Sequence, residues 1–153
     1  MENWTWTANV KITVRDLSGE VIDVTEFHNL IVTIGLNMLR NFLAGTIADG
    51  KIKYMGVGND GTPPVIGNIW LGNEVFRKAL TSDSLPADGQ YQTIFYLAPA
   101  DAVGWIREFG WFCGATAGAG FNTGIMISRV LYSRDKTSLE SIEIRRDDRI
   151  AGV

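Results

Sequence analysis

The feature that most constrains the fold is an alternation of apolar and polar side chains with a period of two residues. Residues 9–15 read NVKITVR, in which Val and Ile alternate with Lys, Thr and Arg. Successive side chains of a β-strand point to opposite faces, so the pattern predicts a strand with one buried face. After the turn at Ser18-Gly19, Val21, Ile22 and Val24 continue the β-branched pattern and predict the second strand of a hairpin.

Short apolar, aromatic or β-branched segments predict further strands downstream. They lie at about 51–58, 75–82, 91–99, 105–115, 124–133 and 138–146. Glycine-containing turns recur between them every ~8 to 15 residues, which is typical of an antiparallel sandwich or barrel.

One segment has a helical period instead. Leu36, Leu39, Phe42 and Leu43 fall at i, i+3, i+6 and i+7, which predicts an amphipathic helix over about 34–44. A single helix cannot supply the crossovers of a doubly wound sheet. We therefore expect a mainly β fold, an antiparallel β-sandwich or jelly-roll-like barrel with one helix.

The length of 153 residues predicts a single domain over 1–153. Within it we expect an N-terminal arm at 1–9 and a charged C-terminal segment at 134–153 that serves subunit or partner docking.

Charge and hydropathy exclude several classes of partner. The net charge of −3 favours neither nucleic acid nor an anionic membrane. The N-terminus lacks the basic start and apolar core of a signal peptide, and no apolar stretch reaches the ~20 residues needed to span a bilayer. We expect synthesis in a cytoplasm.

The glycine-rich stretch GVGNDGTPP invites comparison with nucleotide-binding loops. A P-loop requires a lysine followed by a hydroxyl residue, and this stretch has no lysine. Gly56, Gly58 and Gly61 match the bare dinucleotide spacing, but Pro63 and Pro64 prevent a helix from starting after them. We expect Gly56 and Gly58 to let a core strand turn sharply, and the prolines to stiffen the exit.

No residue set predicts catalysis, a cofactor or a metal. Cys113 and His28 are the only cysteine and histidine, and Cys113 lies in apolar surroundings typical of an inert thiol. The NDG and ADG triplets are turn sequences before they are cation ligands.

Charged residues among apolar neighbours predict structural ion pairs, because a buried charge is usually paired. Glu74 and Arg77 lie at i, i+3, and Arg107 and Glu108 sit among aromatics.

Large aromatic side chains and a basic run are candidate subunit contacts. These are Trp4, Trp6, Trp70, Trp105 and Trp111, with Arg145, Arg146 and Arg149 of the interleaved segment RRDDR.

Taken in order, these blocks resemble a family of small tailed-bacteriophage virion proteins of the tail-fibre or baseplate-associated type. The resemblance covers roughly residues 18–133. It rests on His28-Asn29-Leu30, the leucine-rich helix, and the blocks Met55 to Pro64, Leu71 to Arg77, Ile106 to Phe112 and Ile127 to Tyr132. The N-terminal Trp4 and Trp6 and the charged C-terminal segment depart from the family pattern.

The resemblance implies a structural, non-enzymatic role in a virion, without cofactor. The implied partners are further copies of the chain, as a trimer or higher oligomer, and other virion proteins. Two alternatives stay open: a capsid decoration protein, and a module that binds host-surface glycans by stacking sugars on Trp70, Trp105 and Trp111.

Overall fold

Nine β-strands and one α-helix make up the described part of the chain. The structure is a computed structural model that describes residues 3–152, with only the backbone described at Trp4. In chain order the elements are β1 (Trp4–Asp16), β2 (Val21–Ile31), α1 (Thr33–Leu43), β3 (Ile52–Gly58), β4 (Glu74–Ala79), β5 (Ser82–Ser84), β6 (Gln90–Leu97), β7 (Gly104–Cys113), β8 (Ile125–Lys136) and β9 (Glu140–Gly152).

All strands pair antiparallel in one sheet of order β4-β3-β7-β8-β2-β1-β9-β6-β5. Strand β2 joins the two halves: its register with β1 ends at Asn29, and Leu30 and Ile31 pair with β8 instead. The sheet thereby curls into a half-barrel. The predicted mainly β, antiparallel fold with one amphipathic helix is confirmed.

The concave side of the half-barrel holds the main core, and the alternation read from the sequence places it there. The largest share comes from residues that are at most 1% exposed on both halves of the sheet: Val10, Ile12, Val14, Met55, Phe95, Leu97, Phe109, Trp111, Ile142 and Ile144. Burying each such side chain is worth roughly 1.5–3 kcal/mol. Hydrophobic burial on both halves therefore keeps the sheet curled.

Helix α1 lies against β8 through its smallest side chain. Gly35 and Met38 are its buried residues, and a Cβ at Gly35 would lie 2.7 Å from the carbonyl oxygen of Ile127. The helix ends at Leu43, Ala44 is its C-cap, and the following Gly45 takes a φ of 71° that favours glycine. Three of the four residues of the predicted apolar stripe, Leu36, Phe42 and Leu43, remain exposed. Within residues 3–152, no helix is long and apolar enough to cross a membrane.

Both terminal segments belong to the sheet. Residues 4–9, within the predicted arm, pair with β9, beginning with Trp4 opposite Gly152. In the 134–153 segment, β9 lies between β1 and β6 and pairs with both along most of its length. The expected strand at 138–146 thus continues to Gly152, because the buried charges at Arg146 and Asp148 are paired at 2.7 Å.

Two further predictions are corrected in detail. The strand expected at 75–82 is divided into β4 and β5 by Leu80 and Thr81. Gly56 and Gly58 form no sharp turn, since both lie within β3. Glycine is needed at both positions because a side chain would not fit. A Cβ at Gly56 would lie 2.9 Å from Glu74 Oε1 and from Leu71 Cδ1, and a Cβ at Gly58 would overlap the Glu108 carboxylate.

The contact of Gly35 with β8 predicts that G35A destabilises the protein. Helix propensity alone favours alanine by about 1 kcal/mol. The overlap with the Ile127 backbone opposes it, so we expect a net loss of about 1–3 kcal/mol in the free energy of unfolding, measured by urea denaturation. The control is G67A, since a Cβ at Gly67 meets nothing within 4 Å. Equal stability of G35A and G67A would contradict the packing described.

Candidate functional site

Residues from four of the sequence segments noted above, 55–64, 71–77, 106–112 and 127–132, meet on the convex face of the sheet. The segment 59–73, called here the 59–73 loop, connects β3 to β4 and folds back over β7 and β8. Its two ends are joined by the Asn59 N–H donating to the Asn73 carbonyl at 3.1 Å and by the Asn73 Nδ2 donating to Asn59 Oδ1 at 2.7 Å.

The Glu108 carboxylate of β7 holds this loop. The residue is 0% exposed, and its Oε2 accepts from Arg129 Nε at 2.5 Å and from the Gly72 N–H at 2.9 Å. Its Oε1 accepts from the Asn73 N–H at 2.8 Å and from the Asp60 N–H at 3.4 Å. A buried carboxylate is tolerated where its charge is paired and its lone pairs are used. Both conditions are met here by groups from β8 and from the loop.

Arg129 of β8 completes the attachment. Its guanidinium, 2% exposed, also donates to Asn68 Oδ1 and to the Asp60 carbonyl, both at 3.4 Å. Leu71 packs beside this pair against Phe112 and Met126 in a second, smaller apolar cluster. The Glu108–Arg129 pair therefore holds both ends of the loop and, through Asn68, its middle, and the packing of Leu71 adds an apolar contact.

A second buried ion pair, between Glu74 and Arg77 of β4, holds the neighbouring loop that precedes β8. Arg77 Nε lies 2.5 Å from Glu74 Oε1 and Nη2 lies 3.0 Å from Oε2, with both side chains at most 2% exposed. The guanidinium lies 4.0 Å above the ring centroid of Phe112 and donates to the Thr123 carbonyl at 2.8 Å. The Asn122 N–H donates to Glu74 Oε2 at 2.8 Å, so this pair joins β4 to the loop before β8.

Four large apolar side chains between residues 65 and 70 are exposed on the solvent side of the 59–73 loop. Val65, Ile66, Ile69 and Trp70 are 58%, 56%, 43% and 47% exposed. The Thr33 N–H donates to the Ile66 carbonyl at 2.9 Å, which attaches this part of the loop to the start of α1. We call these four residues the apolar patch. Exposed apolar side chains gathered on one loop make it a candidate interaction surface.

Asp60 shapes the start of the loop. Its Oδ1 accepts from the Thr62 N–H at 2.7 Å, as in an Asx turn. Hydrogen bonds from the Thr62 side chain and backbone lower the pKa of Asp60 below its ordinary value, which keeps the carboxylate charged and the turn closed.

Of the predicted interface tryptophans, the structure exposes only some. Trp70 belongs to the apolar patch, and Trp105 is 53% exposed beneath the Arg107 guanidinium at 4.9 Å. Trp6 is partly buried. Trp111 is 0% exposed, so an interface or sugar-stacking role is wrong for it. The Trp4 side chain lies outside the part of the chain that the structure describes.

The basic run is also used internally. Arg146 is 0% exposed and pairs with Asp148, so it cannot contact a partner. Arg145 lies 3.0 Å from Asp147, and Arg149 is exposed.

The expected ion pairs are partly corrected. Glu74 and Arg77 do form one. Arg107 and Glu108 do not pair, because adjacent strand residues point to opposite faces. Glu108 pairs with Arg129, which the sequence analysis did not single out. A signal existed for Arg129, which is the one charged residue in the apolar run GIMISRVLY.

The groups considered for catalysis lie apart. Cys113 is buried at the end of β7, and His28 is exposed on β2, two strands away in the sheet order. Burial raises the pKa of the Cys113 thiol to about 12, so it stays neutral near pH 7. Within residues 3–152, no group of three or more His, Cys, Asp or Glu side chains could hold a metal ion.

Comparisons with known proteins add no relative: no family model, curated protein or solved structure matches the chain.

Removing the charge of Glu108 tests its role in the 59–73 loop. E108Q keeps the shape but leaves Arg129 buried without a counter-charge, which typically costs 3–5 kcal/mol, roughly the loss we expect by denaturant unfolding. In the control E26Q, the change removes an exposed contact with Lys11 at 3.8 Å. Its effect should stay within about 0.5 kcal/mol. A similar small effect of E108Q would contradict the buried pair.

The burial of Cys113 predicts an unreactive thiol. At about pH 8 the native protein should resist iodoacetamide, since the thiolate is the reacting form. Mass spectrometry should find the adduct only after denaturant is added. Modification of the native protein at the rate of the denatured one would contradict the placement of Cys113.

Proposed function

We propose that the chain is a non-enzymatic structural protein of a tailed-bacteriophage virion, a tail-fibre, baseplate or adaptor component that assembles through the apolar patch. The observation that best supports this is that the charged residues of the resemblance motifs have a structural role. Two buried ion pairs, Glu74–Arg77 and Glu108–Arg129, lie in these motifs. They hold the 59–73 loop and the neighbouring loop before β8 in place.

Rigidity is what an assembly contact needs from such a loop. A flexible loop loses conformational entropy on binding, about 1–2 kcal/mol per ordered residue, whereas a loop already held by buried ion pairs loses much less. The apolar patch can therefore contribute most of its burial to affinity.

Repetition strengthens such a contact. Symmetric assemblies use the same patch many times, so a modest single interface is sufficient for a stable ring or trimer. The proposed partners are further copies of this chain and neighbouring virion proteins, which places the protein in the virion after synthesis in the host.

Virion incorporation tests this proposal. The double variant I69S/W70S should reduce incorporation about tenfold or more, because it removes two bulky members of the apolar patch. The control L17S/L139S changes two leucines that are each 64% exposed elsewhere on the surface. The measurement is quantitative mass spectrometry of purified particles, with circular dichroism to show that both variants fold.

Copy number separates the alternatives. We expect on the order of 3 to 18 copies per particle for a tail or baseplate position, against hundreds for a capsid decoration protein. Absence of the wild-type protein from purified particles, or equal incorporation of both double variants, would contradict assembly through the apolar patch. Binding to host glycans that W105S abolishes while incorporation is unchanged would favour receptor recognition instead.

A further inference from the structure

The end of the half-barrel beside α1 contains an apolar cavity, called here the mouth. Its volume is about 610 Å³, within the range of roughly 300–1,000 Å³ that holds small ligands or side chains. Its walls come from both halves of the sheet and from the helix, and include Trp6, Met38, Phe42, Tyr91, Ile127 and Ile150.

The charged residues that line the mouth are already paired. Asp49 lies 2.5 Å from Lys53, Lys51 lies 3.4 Å from Asp83, and Asp148 lies 2.7 Å from Arg146. An incoming charge would therefore find no free counter-charge among them. The charge pattern fits an uncharged occupant.

The polar atoms of the two aromatic side chains Trp6 and Tyr91 that line the mouth already make hydrogen bonds. Trp6 Nε1 donates to Asp148 Oδ1 at 2.8 Å, and the Tyr91 hydroxyl donates to Asp83 Oδ2 at 2.8 Å. Both rings therefore offer the cavity their apolar faces. The occupant that fits this lining is apolar as well as uncharged.

A free sheet edge lies at the same place. Strand β1 pairs with β2 only from Ala8 onward, so residues 4–7 have a described strand partner on one side only, in β9. Strand β2 leaves this edge to pair with β8, and the mouth opens in the resulting gap. An unpaired edge is a ready template for another strand.

The hydrogen-bond pattern shows which backbone groups are available. The Ile150 N–H donates to the Gly89 carbonyl at 2.8 Å, toward β6, and Ile150 is opposite Trp6 in the register of β1 with β9. In an antiparallel pair, the backbone N–H and C=O groups of two opposed residues point either toward each other or away from each other. The Trp6 N–H and C=O therefore point toward the edge that β2 has left.

We infer that the mouth binds an extended, uncharged peptide segment of a partner chain, which adds a strand to residues 4–7 and inserts a bulky apolar side chain into the cavity. Strand addition of this kind takes affinity from backbone hydrogen bonds and specificity from side-chain pockets. A lipid or small apolar molecule would fill the cavity but leave the Trp6 backbone groups unused. The inference goes beyond the proposed function, because it concerns a different surface from the apolar patch and holds in any assembly.

The test uses the whole protein and a capped heptapeptide in which Thr alternates with Phe and Leu. Binding is measured by NMR titration, and amide exchange is followed at Trp6 and at Thr7, whose N–H points to β9. We expect saturable binding that slows exchange at Trp6 and leaves Thr7 unchanged. A peptide N-methylated along one edge keeps the side chains but cannot pair, and should bind at least about tenfold more weakly.

Two variants at exposed positions that line the mouth test the cavity, A48W by filling it and L85D by placing a charge at its rim. Both should weaken peptide binding about tenfold or more. V103W, at an exposed residue beside the opposite end of β7, should not. The inference is overturned if the peptide fails to bind, if N-methylation has no effect, or if V103W weakens binding as much as A48W. It is also overturned if Nile red binds the mouth while the peptide does not, which would assign the cavity to a small apolar ligand.

Discussion

The buried carboxylate of Glu108 is the interaction on which the arrangement of the convex face depends. It is shared between one guanidinium, that of Arg129, and three backbone N–H groups of the 59–73 loop. A charge without such partners would be strongly unfavourable in this position. The loop therefore satisfies the carboxylate, and the carboxylate in turn determines where the loop lies. Gly58 contributes by leaving the carboxylate room, and Gly56 and Gly110 leave room for Leu71.

The same principle recurs at two further places in the sheet. Arg77 and Glu74 connect β4 to the loop before β8, and Arg146 and Asp148 lie inside β9 beside Trp111, whose ring centroid is 5.1 Å from the Arg146 guanidinium. Buried ion pairs add little net stability compared with apolar replacements, but they are costly to break singly and they demand particular partners. In this fold they determine which segment covers which part of the sheet. Hydrophobic burial keeps the half-barrel curled, and the ion pairs select its surface loops.

The features that the sequence predicts are those that depend on neighbouring residues, and the features that it misses depend on contacts between residues distant in the chain. Periodicity and residue composition are local signals, so the strands around Val10, Ile52 and Phe95 and the single helix could be predicted from them. Partner choice is not local: Glu108 pairs with a residue on the next strand rather than with its neighbour Arg107. For the same reason β9 extends through RRDDR, a run that local chemistry assigns to solvent, since its charges find partners only in the folded sheet. The sequence predicts a turn at Gly56 and Gly58, whereas the folded chain requires glycine there for space, because the close approach of a loop leaves no trace in the flanking residues. The mouth, formed by residues distant in sequence, had no local signal at all.

The most direct measurement of the central interaction is hydrogen exchange at the amides of Gly72 and Asn73, which donate to Glu108 at 2.9 and 2.8 Å. In the wild type both amides should be protected to a degree comparable with strand amides. Replacing Arg129 by Met, which keeps the apolar stem and removes the charge, should release both while the amides between β1 and β9 remain protected. Exchange of Gly72 and Asn73 in the wild type at the rate of an unstructured loop, or unchanged protection in R129M, would contradict the account.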